Sequence, residues 1–290
     1  MKTGALLSTA VVVTVLIYAS GCTRTAEKPS ETPADSVYVP LAGEAEAGVT
    51  IEADTIAALI SACPMPKAAD ELFDDFLFNF AANEKLQLSR IDFPLAVNDG
   101  DMTLSVPEEE WTMERFFMRQ GYYTMVLDSR AQLEYAKDTS VVHVSVEKMD
   151  LHNGTEKKYN FDRVSGQWRL TSIEHSLIED NVNASFLVFY EQFATDTAVF
   201  ASSIHNPLKM TGPDPEDETS NVTIEIEPSE WQEMEVDDWP HGTIYNIMYG
   251  QEYKRADKKI LMMRGISNGL EAELTFKCIA ERWQLVEVVF

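Results

Sequence analysis

The sequence predicts an α+β protein made of two tandem cone-shaped domains, each a long N-terminal helix packed on a curved antiparallel sheet. Three observations lead there. One pattern is written twice along the 290 residues. Each copy opens on a phenylalanine stripe at helical spacing, and each continues in short alternating runs punctuated by Asn-Gly. The 14 Phe, 10 Tyr and 5 Trp supply material for two cores, and a unit of about 110 residues is an ordinary domain size.

Taken in order, the chain begins with a leader. Lys2 precedes an apolar run from Ala5 to Ala19, followed by Ser20, Gly21 and Cys22. The run is short for a bilayer span of about 20 residues and has the layout of a secretory signal over 1–21. Ala19-Ser20-Gly21-Cys22 resembles a bacterial lipobox, with Ala19 where leucine is usual. The resemblance implies that Cys22 is lipidated and becomes the new N-terminus. Acyl chains on Cys22 then hold the protein at a membrane. Residues 22–50, rich in Pro, Thr and charge after Cys22, read as a flexible tether. The lead-in over 51–67 stays unassigned, with a strand at Val49–Ile51 and a helix at Asp54–Ala62 as options.

The repeat defines the first copy as 68–180 and the second as 181–290. Phe73 to Leu95 aligns without gaps on Phe186 to Leu208, with eight identities in 23 positions, among them Phe73/Phe186, Phe76/Phe189, Phe80/Phe193 and Pro94/Pro207. The match resumes at Asn153-Gly154/Asn268-Gly269, Phe161/Phe276 and Trp168/Trp283, with Thr211 to Ser220 read as a loop insertion. Leu72, Phe73, Phe76, Leu77 and Phe80 share one helical face behind Asp70. Phe186, Leu187, Phe189, Tyr190 and Phe193 do so behind Asn183, a candidate N-cap. Strands are expected at Tyr122–Leu127, Val141–Val146, Lys157–Phe161 and Trp168–Ile173, and again at Thr243–Tyr249, Ile260–Met263, Leu270–Cys278 and Trp283–Phe290. Each Asn-Gly reads as a tight two-residue hairpin turn. Arg163–Gln167 and Ala280–Arg282 close a second hairpin in each copy.

The Phe-striped helix, the Asn-Gly hairpins and the closing Phe161/Trp168 and Phe276/Trp283 pairs resemble the nuclear transport factor two-like, or cystatin-like cone, superfamily. More closely, Ala68 to Phe290 resembles a family of lipoproteins of gut Bacteroidetes, a domain of unknown function containing two such cones. The residues that carry the closer match are Phe73-Asp74-Asp75-Phe76, Phe93-Pro94-Leu95, Gly121-Tyr122-Tyr123-Thr124, Tyr249-Gly250-Gln251 and Gly265-Ile266-Ser267-Asn268-Gly269. The resemblance implies a fold and a location in the cell envelope, at the outer membrane; it implies no chemistry.

Charge narrows the function. With 23 Lys+Arg against 48 Asp+Glu the chain carries a formal −25, which excludes nucleic acid and anionic headgroups as partners. Cone enzymes use a buried Asp or His, for which the candidates are Asp128, His143, His175, His205 and His241. His143 reads as outward and solvated, and His205 as a loop residue. No phosphate loop, nucleophile elbow or metal-ligand spacing is present, so no cofactor and no metal is expected. Asp214–Glu218 reads as a solvated loop rather than a calcium site. Cys63 and Cys278 are open to pairing, with Cys278 as a small buried thiol the favoured reading. Asp35-Ser36-Val37, Asp54-Thr55-Ile56 and Asp196-Thr197-Ala198 resemble an O-glycosylation acceptor pattern. The sequence thus reads as a non-enzymatic, lipid-anchored module that binds a small ligand or an envelope protein. Tyr122, Tyr123, Trp239, Tyr245 and Tyr249 are the candidate binding surface. The alternative is a cone enzyme, an isomerase or hydrolase with a divergent pocket.

Overall fold

The computed structural model describes residues 67–227, 239–250, 255–266 and 269–290. Cys22, Cys63, the first two glycosylation triplets, the options at 49–62 and Asn268 lie outside them. Each half opens on two short helices rather than one long one. In the first, α1 (Phe73–Ala82) is followed by α2 (Glu84–Ser89). Asn83 separates them and caps α2 by accepting the Leu86 N–H at 3.1 Å. In the second, α3 (Ala184–Phe193) gives way to α4 (Thr197–Ser202), and Asp196 accepts the N–H of Ala198 and Val199 at 2.7 and 3.1 Å. Short acceptor side chains compete for backbone donors and so break the helix at the same place in both copies. The third glycosylation triplet is this exposed cap.

The expected cap at the start of α3 does not act as one. Asn183 occupies the N-cap position but its Oδ1 accepts from the Lys259 ammonium instead. Asp70 lies a turn before α1, forms a two-pronged ion pair with Arg90 at 2.8 Å and also accepts the Trp168 N–H at 3.0 Å. Arg90→Met would leave this shielded carboxylate without its counter-charge. A loss of about 3–5 kcal/mol in denaturant unfolding is expected.

The strands of the first half are β1 (Ile91–Asp99), β2 (Met102–Val106), β3 (Tyr122–Leu127), β4 (His143–Asp150), β5 (Thr155–Val164) and β6 (Gln167–Leu177). Those of the second are β7 (Ile204–Asp214), β8 (Asp217–Ile226), β9 (Thr243–Met248), β10 (Lys258–Gly265), β11 (Glu271–Ile279) and β12 (Arg282–Val289). They form two six-stranded sheets, ordered β2-β1-β6-β5-β4-β9 and β3-β10-β11-β12-β7-β8. The halves therefore exchange a strand: β9 pairs with β4, and β3 pairs with β10. The sheets are also mixed, since β1–β6 and β7–β12 run parallel.

The sequence explains the exchange. Both strands are buried on both faces, as a strand between two cores must be. Tyr123, Met125 and Leu127 of β3 pack in the first core and Val126 in the second. On β9, Tyr245 and Ile247 join the first core and Ile244 the second. Where the strands cross, the Thr124 hydroxyl donates to the Tyr245 carbonyl at 2.6 Å and accepts the Tyr245 N–H at 2.9 Å.

Within this interlocked frame the two cores repeat each other. Phe73 lies 5.2 Å from Phe161 and 5.1 Å from Trp168, and Phe186 lies 5.3 Å from Phe276 and 5.4 Å from Trp283. Phe76–Phe161 and Phe189–Phe276 are both 5.8 Å. Edge-to-face rings at this spacing add attraction beyond the area that they bury. The expected equivalence of the Phe and Trp positions is met.

The turns differ from the sequence reading. Asn153-Gly154 ends a four-residue turn, Leu151–Gly154, with Gly154 at φ +65°. The two-residue turns are Ser165-Gly166 (φ +51° and +81°) and Ala280-Glu281 (φ +48° and +62°), which carry positive φ at both central positions. Residues 204–226 are a long β7–β8 hairpin rather than a loop, with Asp214 facing Asp217 across its tip. His205, on β7, is consequently a strand residue. Pro94 and Pro207 sit where the parallel ladders are irregular, which is where a strand tolerates a missing N–H.

Candidate functional site

The aromatic residues read as a binding surface do not form one. Tyr123, Trp239, Tyr245 and Tyr249 are buried and Tyr122 is half-buried. The four buried ones pack within the cores, where their area is worth most. Tyr249 spends its hydroxyl on Asp74, donating at 2.6 Å.

The acid–base candidates are dispersed. Asp128 pairs with the buried Lys259. His205 and His241 lie toward the surface and contact the carbonyls of Pro207 and Trp239 at 3.2 and 2.9 Å. His143 faces outward as expected, its Nδ1 2.8 Å from Asp162 and its Nε2 3.3 Å from the Ser145 hydroxyl. That order is the one found in nucleophile relays. However, Ser145 is only 4% exposed and donates to Asn160 Oδ1 at 2.8 Å. A hydroxyl so committed is not poised to attack. Cys278 is half-buried against the second core.

A different group converges at the mouth of the first cone, around a cleft of about 730 Å³, within the range of small-molecule sites. Glu114, Lys148, Lys157 and His175 line it, with Thr243 from the exchanged β9. Glu114 is set in place by the backbone. The wholly buried Gln87 amide donates to the carbonyls of Phe80 and Glu114 at 2.9 and 2.5 Å, and its Oε1 accepts the Glu114 N–H and the Trp111 indole N–H, both at 3.1 Å. Two residues on, Phe116 is held at φ +46°, a strained conformation for a bulky side chain, by its packing 4.9 Å from the Tyr159 ring.

The Glu114 carboxylate accepts the Tyr159 hydroxyl at 2.6 Å, the Lys148 ammonium at 3.2 Å on each oxygen and the Phe116 N–H at 3.1 Å. Burial works to raise its pKa, but these hydrogen bonds and the Lys148 charge outweigh it, so Glu114 sits below the ordinary carboxylate value. Burial, then the Glu114 charge, pushes the Tyr159 phenol far up. A saturated anion and a phenol held protonated are anchors, not a proton-transfer pair. Burial also draws the Lys157 ammonium down, opposed by Glu114 and reinforced by Lys148.

Among the described residues the second copy has no counterpart of this lysine pair or of Tyr159. Lys148 faces Lys157 across β4–β5, and the matching pair across β10–β11 is Met263 facing Ala272. Leu274 stands where the first copy has Tyr159. The sequence held one usable signal, the two lysines spaced about the Asn153-Gly154 turn. A two-residue turn would pair Lys148 with Tyr159, whereas the four-residue turn pairs it with Lys157 and brings like charges face to face. Glu114 and Gln87 had no local signal, because their meeting depends on the long-range fold.

Comparisons with known proteins agree with the architecture. Residues 52–289 match a family described as a domain of unknown function, DUF4348. The chain is similar to an NTF2-like protein from Bacteroides fragilis NCTC 9343, known from a crystal structure. The two are 34% identical with a TM-score of 0.72, over 78% of this chain and 98% of that one. A comparison with curated proteins returns no match.

Proposed function

The chain belongs to the DUF4348 family, a domain of unknown function, and from that premise we propose that it is a lipid-anchored protein of the bacterial cell envelope. In this reading the first cone holds a small polar ligand without transforming it. Cys22 carries the lipid, residues 22–50 form the tether and the outer membrane is the destination. The repeats over 68–180 and 181–290 act as one interlocked body.

The observation that carries the binding role is the contrast between the copies. Duplication provides an internal control: the same strands and the same aromatic core support Lys148, Lys157 and Tyr159 in one copy and Met263, Ala272 and Leu274 in the other. Polar groups lining a cleft are retained at a cost in stability, which favours a binding role for the first copy alone. Glu114, with its acceptor sites occupied, supports binding over catalysis.

Native mass spectrometry of protein released from the producing cells' membranes tests this reading. A small molecule bound to the wild type and lost from Lys148→Met/Lys157→Ala is expected; a bare wild type, or cargo retained by the variant, contradicts the binding role. For the anchor, Cys22→Ala is expected to abolish incorporation of labelled fatty acid and to release the protein into the soluble fraction. Continued labelling would refute the lipobox.

A further inference from the structure

Lys148 and Lys157 are directly opposite each other on adjacent antiparallel strands. Like charges in that position destabilise a sheet. One carboxylate, Glu114, lies against the pair and is committed to Lys148. Lys157 makes no ion pair among the described residues; its ammonium rests 5.0 Å from the centroid of the Tyr159 ring, a placement that steadies a cation without neutralising it. Lys157 is therefore the cation of the cleft that has no contact ion pair among the described residues. Four more carboxylates line the cleft, Asp99, Asp150 and Asp180 toward solvent and Glu156 buried, so the rim has the opposite character. A simple anion would meet repulsion at the entrance and a simple cation would meet it at the floor. A ligand carrying both charges is complementary to both.

Resting on the binding role above, we propose that the cleft takes a zwitterionic small molecule of the amino-acid or short-peptide class. Its carboxylate lies on Lys157 and its ammonium group toward the aspartate rim. The size of the cleft agrees, being larger than a single amino acid needs and sufficient for a peptide of a few residues. In the second cone Met263 and Ala272 stand in place of the lysines, so these two positions offer no carboxylate subsite there.

Trialanine, its C-terminal amide and its N-acetyl form are the probes, titrated by calorimetry into the full chain in detergent. Trialanine is expected to bind at least about tenfold more tightly than either capped form, the difference of one charge-assisted contact. Lys157→Ala should bring trialanine down to the affinity of the amide and leave the amide unchanged. Circular dichroism and an unaltered unfolding midpoint establish that the variant is folded. Equal binding of trialanine and its amide would overturn the zwitterion inference and leave the binding role standing. So would absence of trialanine binding up to about 10 mM in protein whose native mass spectrum carries other cargo. Absence of both probe binding and cargo would remove the two together.

Discussion

Glu147→Gln should make the protein more stable at pH 8 and flatten its pH dependence. Glu147 is 3% exposed on β4 and accepts from the Asn246 amide of the exchanged β9 at 2.8 Å; Asn246 in turn accepts the Val126 N–H of β3 at 2.9 Å. Burial, and then repulsion from Glu156, raises Glu147 to about 7, against the opposing pull of Asn246, Lys158 and Asn181. Glu156 is raised as well, by burial first, with Asn181 donating to it at 2.7 Å. An acid whose folded pKa lies above its unfolded value favours the folded state at low pH. Its contribution declines from about pH 4.5, the unfolded pKa, and is fully lost once pH passes about 7. The size of the shift corresponds to about 3 kcal/mol. The substituted amide would keep an acceptor for Asn246 and carry no charge. Urea unfolding at pH 5 and pH 8 should therefore show the variant gaining at the higher pH. Glu156 leaves a residual slope in the same direction. Asp70, Glu114 and Asp162, whose pKa values are lowered, act oppositely and only as pH falls below about 4. An unchanged slope, or a variant weaker at pH 8, would contradict the burial of an ionisable Glu147 at the crossing.

Phe161→Ala and Phe276→Ala should each cost about 3–5 kcal/mol, the range for removing a buried phenylalanine. Phe161 meets Phe73, Phe76 and Phe80 at 5.2–5.8 Å, and Phe276 meets Phe186, Phe189 and Phe193 at 5.1–5.8 Å. Independent cones would respond separately, with one half unfolding early in each variant. Interlocked cones lose β3 and β9 together, so either truncation should lower one common transition. Chemical unfolding followed by far-ultraviolet circular dichroism and by tryptophan fluorescence distinguishes the cases. Coincident curves for both variants are expected, and separated curves would mean that the halves unfold on their own.

The helices and the central strands were legible in the sequence because their signal is local. Phe73, Phe76, Leu77 and Phe80 at helical spacing, and Phe161 and Trp168 on either side of a hairpin, state their burial in their own periodicity. The exchange was hidden for the converse reason. Tyr122–Leu127 and Thr243–Tyr249 read as strands, but an apolar run on both faces does not name its neighbour. The β7–β8 hairpin was hidden by Pro207, Pro213 and a run of polar residues suited to an edge. The aromatic residues are ambiguous in sequence because Tyr and Trp carry a polar atom and a large apolar body, and here the body decides: Tyr249 and Tyr245 are core residues. At the cleft, Lys148 and Lys157 were in plain view, but their opposition follows from a turn two residues longer than Asn-Gly alone requires.

The second half lends a strand to the first and so completes the wall of its cleft. Asp150 and Thr243 are register partners across β4 and β9, and facing residues on antiparallel strands lie within disulfide range. With Cys63 and Cys278 replaced by serine, Asp150→Cys/Thr243→Cys should oxidise to an intramolecular disulfide, read by peptide mapping after non-reducing digestion. Two thiols that stay reduced under the same oxidant, in protein that is otherwise folded, would contradict the exchange.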